Sequence, residues 1–211
     1  MPHVKYDGLS KRQRKLAEQT LQDLYRNKVG KQLINQIEEK LGEIGKFVHI
    51  KAGKNHAVKE PKNETDPLIL TLNFQSIDFR YIDSGKERFW FTRAPCLGAQ
   101  AGKKSKAFPI GSSEVPFYIV LGHELIHIKH FLEDEKTYKE YSARFDNTLW
   151  PIPSVGDKQR AEWIWHDLEE QRTVIGTPDS GEICEWTLRL AAGIAPRYAY
   201  QGAEDYFLED E

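Results

Sequence analysis

The chain has only two cysteines in 211 residues, Cys96 and Cys184. One distant pair cannot staple a disulfide scaffold. Neither cysteine has the CxxC partner or finger-spaced histidine of a structural zinc site, so two reduced thiols in a cytosolic setting are expected. Charge of one sign is also lacking: 30 Lys and Arg stand against 32 Asp and Glu, a net charge of −2. That balance gives no general attraction to nucleic acid or to an anionic membrane. No apolar run is long enough to cross a bilayer, and the first residues carry no apolar signal-peptide core. Internal repeats and low-complexity tracts are missing too. What is present is enough chain for one domain, residues 1–211, with a real core. A monomer without a nucleic-acid partner or a membrane span is expected.

The hydrophobic period divides the chain. Residues 10–27 predict a helix with Leu16, Leu21 and Leu24 as its apolar positions, and residues 31–44 a second one with Leu33, Ile34, Ile37 and Leu41 on one face. Gly42 and Gly45 loosen the end of the second helix. The basic cluster Lys11, Arg12, Arg14 and Lys15 is expected to be a solvated face. Residues 46–51 predict a short strand and 54–66 a polar loop. Leu68, Leu70, Leu72 and Phe74 then alternate as in a half-buried strand, as do Ile77, Phe79 and Tyr81. Asp83, Ser84 and Gly85 turn the chain into an aromatic strand at 88–93, completing a hairpin. Residues 94–112 predict a loop. Helical segments follow at 136–147, 157–173 and from a Ser180 cap to Ala192, broken by Pro151, Pro153, Gly176, Pro178, Gly193 and Pro196. Helices, a small antiparallel or mixed sheet, then helices make an α+β fold, with N-terminal helices at 1–45 and the remainder at 46–211.

One segment carries chemistry in its spacing: Val120-Leu121-Gly122-His123-Glu124-Leu125-Ile126-His127. His123 and His127 are four residues apart and share a helix face. Two imidazoles held that way can bind one metal ion, and Glu124 stands where its carboxylate can reach a water on that metal. This is the His-Glu-x-x-His pattern of zinc hydrolases, so Zn²⁺ is the expected cofactor. Phe117, Leu121, Leu125, Ile128 and Leu132 recur at intervals of three and four, which predicts a half-buried helix. Pro116 suits its first turn, and Ser113 with Glu114 offers capping chemistry.

A catalytic zinc takes three protein ligands and leaves a position for water. The longer metzincin pattern needs Gly at 130 and His at 133. The chain has His130 and Glu133 there, so that form fails and His130 is expected at the surface or behind the ligands. The third ligand is sought on the helix at 157–173, where Glu170, Glu169 and His166 are candidates in that order. The run Glu169, Glu170, Thr173 resembles the ligand helix of thermolysin-like and neurotoxin-like zinc proteases, with an acid before the ligand Glu and a hydroxyl three residues after it. That resemblance favours Glu170. The Asp that follows the hydroxyl in thermolysin-like enzymes is Val174 here, so Glu169 or Thr173 must support the site differently.

The ordered set of HELIH, Glu169-Glu170-x-x-Thr173-Val174 with Gly176, Leu188-Arg189, and Arg197-x-x-Tyr200 resembles the NleD-like bacterial type III effector metalloproteases, over about residues 115 to 200. The resemblance implies a zincin-like metalloprotease domain. It further implies a virulence effector delivered by a bacterial secretion system into the host cytoplasm, and a host protein, such as a signalling kinase, as substrate. Arg197 and Tyr200 are also similar to the Arg-x-x-Tyr pair of botulinum neurotoxin light chains, which implies that both lean on the tetrahedral intermediate.

The mechanism so implied has Glu124 as general base, His123, His127 and Glu170 on zinc, and Tyr200 or Arg197 at the oxyanion. An extended substrate would add to a sheet edge, with 88–93 the expected edge strand. Competing expectations are a metal-dependent hydrolase of another substrate class, such as a deamidase, and a non-catalytic binding protein whose HELIH is vestigial. The acidic residues 204–211 resemble the translocation signals of some type IV effectors; a solvated tail is the plainer expectation.

Overall fold

The computed structural model describes residues 1–63, 66–75, 77–83, 88–93, 114–143, 168–177 and 180–194. Among these residues the chain is a mixed α+β fold with six helices. In order they are β1 (Val4–Asp7), α1 (Lys11–Arg26), α2 (Lys28–Ile44), β2 (Val48–Ala52), β3 (Ala57–Lys59), β4 (Leu68–Leu72), β5 (Ile77–Asp83), β6 (Arg88–Arg93), β7 (Glu114–Pro116), α3 (Phe117–Glu133), α4 (Glu135–Ala143), α5 (Leu168–Ile175) and α6 (Glu185–Ala191).

The amphipathic helices form where the period places them. Ser10 caps α1 in a capping box with Gln13, which satisfies two backbone donors that the first turn would otherwise leave bare. Leu16, Leu21 and Leu24 are buried, as are Leu33, Ile34, Ile37 and Leu41 of α2. Full burial of each such side chain contributes about 1.5–3 kcal/mol. The basic residues at 11, 12, 14 and 15 are exposed, and Arg14 pairs with Glu18 one turn away. The second helix begins at Lys28, three residues before the expected start. Asn27 explains the difference: its Oδ1 accepts from the Val29 and Gly30 N–H groups, both at 3.0 Å, so one residue ends α1 and caps α2. Its Nδ2 donates to Leu188 O at 3.2 Å and ties that corner to α6.

Two sheets form. The four-stranded sheet is mixed, in the order β1-β2-β4-β3, with β1, β2 and β4 parallel and β3 antiparallel to β4. The α1–α2 pair is the crossover that makes β1 and β2 parallel. Neither β1 nor β3 is among the expected strands. Both are short, and β3 lies inside the expected loop at 54–66; pairing with distant partners makes them strands. The three-stranded sheet is antiparallel, β5-β6-β7. Here the structure corrects the expected substrate edge: β6 is the middle strand, paired with β5 on one side and, over Phe91–Arg93, with β7 on the other, so it is not an edge strand.

α3 runs through the centre, packing against α1, α2, α4, α5 and α6 and against strands of both sheets. It is not half-buried as expected; every residue from Phe117 to Phe131 is buried. Its N-cap is Pro116, the last residue of β7, with no side-chain cap, and Glu114 is a strand residue. Ser113 lies outside the described residues. Gly122 lets two helices approach the α3 backbone beside His123: a Cβ there would stand 2.7 Å from Leu188 Cδ1 and 3.3 Å from Leu24 Cδ1. α6 begins at Glu185, capped by Cys184, rather than at the expected Ser180, whose hydroxyl instead accepts from Glu182 N–H in the preceding turn. The loop expected at 94–112 lies outside the described residues, as do 144–167.

Candidate metal centre

A central helix with no solvent-facing side must find partners for its polar side chains, because an unsatisfied buried polar group is costly. His123 meets Glu185 from α6, with Nδ1 2.8 Å from Oε2. His127 meets α5: its Nδ1 lies 3.1 Å from Glu169 Oε1 and 3.1 Å from the Thr173 hydroxyl. Each imidazole therefore has a carboxylate at Nδ1, which places the ring proton there and leaves a lone pair on Nε2.

The two Nε2 atoms face each other at 3.3 Å, and the rings stand nearly perpendicular. Glu170 closes the third side, with Oε2 3.3 Å from His123 Nε2 and Oε1 3.4 Å from His127 Nε2. Three electron-pair donors thus converge in a buried space, which is a repulsive arrangement unless a cation joins it. The side chains answer with protons. Burial works against the imidazolium of His123, but Glu170 and Glu185 outweigh it and push the group up to about 9. His127 is likewise raised against burial by Glu170 and Glu169. Glu170 is held well below the usual carboxylate range, the two imidazoles overcoming its burial. One ligand atom from each of His123, His127 and Glu170 lies within 4.8 Å of the other two. This group could hold a metal ion.

Glu124 lies between the histidines on α3 and is itself buried. Burial raises its carboxyl pKa, while His123 and His127 pull the other way. The Tyr138 ring of α4 packs edge-on against His127, centroids 6.4 Å apart.

Of the residues the sequence singles out, His123, Glu124, His127 and Glu170 are brought together. Glu169 is not at the convergence point; it lies behind His127. His130 is not at the surface. It is fully buried, with Nδ1 2.6 Å from Glu169 Oε1. Arg197, Tyr200 and His166 lie outside the described residues. Sequence reasoning missed Glu185 and its pairing with Arg189; the two are 0% and 1% exposed, an ionic pair sealed in the interior. Their spacing of four on one helix was the available signal. It also missed His56, just before β3. The Asn73 N–H donates to His56 Nδ1 at 3.2 Å, so Nε2 carries the ring proton. Burial, assisted by the charge of His123, lowers His56 to about 4.

Compared with family models, curated proteins and solved structures, the chain matches none.

Proposed function

We propose that the protein is a zinc-dependent endopeptidase. The observation that carries this reading is the convergence of His123 Nε2, His127 Nε2 and the Glu170 carboxylate beside a buried Glu124. Two nitrogens and one oxygen form the donor set of a catalytic zinc, which keeps a further position for water or substrate. When bound, the ion supplies a Lewis acid that polarises a carbonyl and acidifies water.

The chain's own residues supply the rest. Glu185 and Glu169 orient the two imidazoles and keep their protons on Nδ1. Glu124 is the group placed to take a proton from the attacking water and to return it to the departing amine as the C–N bond breaks. A carboxyl whose pKa burial has raised is matched to that two-way transfer better than an ordinary glutamate. In place of β6, we assign the substrate-facing edge to β3, which among the described residues pairs with β4 on one side only. The His56 ring packs 5.7 Å from Phe117 at the start of α3, so β3 starts beside the HELIH helix. The ordered motif set that resembles the NleD-like effectors supports a bacterial effector that is delivered into a host cell and cleaves a host protein there. Arg197 and Tyr200 would serve the oxyanion on that reading.

The test pairs wild-type protein with Glu124→Ala. Both should carry stoichiometric zinc, and only the wild type should generate new peptide termini in host-cell lysate. Zinc without any new terminus would sink the peptidase and favour a hydrolase of another substrate class. No zinc in either protein would favour a non-catalytic role.

A further inference from the structure

We propose that His130 is a positioning residue of the metal centre, holding Glu169 against His127. The proposal rests on the metal-binding reading above and extends it to a residue outside the HELIH motif. Glu169 uses only one oxygen toward the site. Its Oε1 faces His127 Nδ1 at 3.1 Å, the Thr173 hydroxyl at 3.2 Å and His130 Nδ1 at 2.6 Å. Its Oε2 is buried without a hydrogen-bond partner among the described residues. A carboxylate bonded through one oxygen can swing about its own stem. The shortest of its three contacts comes from His130, so that ring does most to fix its direction.

His130 is in turn held from behind. Its Nε2 lies 3.1 Å from Glu182 Oε1, a close contact without hydrogen-bond geometry, and that oxygen accepts from Arg172 Nη2 at 2.6 Å and Nε at 3.0 Å. Glu182 also accepts from the Thr177 hydroxyl at 3.0 Å. The side chains thus form a series of close contacts, Arg172–Glu182–His130–Glu169–His127. Arg172 and Glu169 stand one turn apart on α5, so that helix supplies two of its members. His130, Glu169 and His127 are buried, and a carboxylate stands beside each nitrogen of His130. Its role is to set the angle at which His127 presents Nε2.

The two ring nitrogens can be tested separately. An Asn side chain places its amide near where Nδ1 stands and can still donate to Glu169. A Gln side chain reaches toward the Nε2 position and Glu182 instead. Zinc affinity would be measured by competition with a chelating dye, and geometry by the visible absorption of the Co²⁺-loaded protein. His130→Leu is expected to weaken zinc binding by about 10–100-fold and to shift the Co²⁺ bands. His130→Asn should recover most of the affinity and the wild-type bands, and His130→Gln should not. If His130→Leu fails to fold, the contrast between Asn and Gln decides alone. Equal behaviour of Asn and Gln, or a Leu variant within about twofold of wild type with unchanged bands, overturns the proposal. A wild type that binds no zinc overturns the metal-centre reading together with it. Absence of cleavage by a zinc-loaded wild type touches only the peptidase assignment.

Discussion

The two histidines of the candidate site are held by different devices. His123 leans on Glu185, whose other oxygen is bound by Arg189 within the same short helix, and the pair is sealed from water. His127 leans on Glu169, which shares its oxygen with the Thr173 hydroxyl and with His130, and the series ends at Arg172 near the rim. The first device is a fixed charge closed by a fixed charge. The second spreads over a hydroxyl, a second histidine and, at its far end, the part-buried Arg172–Glu182 pair. A buried ion pair that loses one partner strands the other, so the His123 side is bound up with folding itself. The His127 side can lose a link and still stand, so it is the side where ligand geometry can be adjusted.

The largest effect should come from breaking the sealed pair. Glu185→Ala leaves Arg189 charged and buried, and should cost about 3–5 kcal/mol of stability, read by chemical denaturation in the presence of a chelator. Replacing both residues by leucine should cost less than that single change. A stability close to wild type for Glu185→Ala would erase the contrast between the two sides. Glu169→Ala strands no fixed charge. It should leave folding nearer to wild type while zinc affinity falls by about 10–100-fold.

Protons and metal compete for the same convergence point, and this yields a pH test. His123 is raised in the folded protein from an ordinary 6.5 to about 9. The stabilisation from its proton is therefore complete below the unfolded value and is lost as pH rises toward the folded one. In chelator, unfolding free energy should fall between pH 6.5 and about 9, while the extra stability conferred by added zinc should grow across that window as the protons leave. Melting curves at both ends of the window, with and without zinc, check this; a zinc increment that shrinks with pH contradicts it. The smallest effect belongs to the weakest link. Thr173→Val should cost about 1 kcal/mol, seen as a slightly lower melting temperature, because His130 and His127 still hold Glu169.

Much of the fold was legible because it is local. The leucines of α1 and α2 recur at the helical period, and the alternation at 68–72 marks β4. The strands that escaped notice, β1 and β3, have almost no pattern of their own and exist only through their neighbours in the sheet. The burial of α3 was underestimated for a related reason. Its polar side chains argue for a wet face, yet His123, His127 and His130 are each answered by a residue from a distant segment.

The sequence by itself determined that His123, Glu124 and His127 act from one helix, because 3.6 residues per turn place positions four apart on a common face. It also offered Glu170, Glu169 and His166, in that order, as candidates for a third metal ligand. Which of the adjacent glutamates stands beside the two histidines was decided by the tertiary structure. Successive helix residues point about 100° apart, so the way α5 docks on α3 turns Glu170 toward the two Nε2 atoms and sends Glu169 behind His127. The spacing of Glu185 and Arg189 signals only their own pairing; that Glu185 meets His123 and that His130 meets Glu169 depend on packing across distant segments.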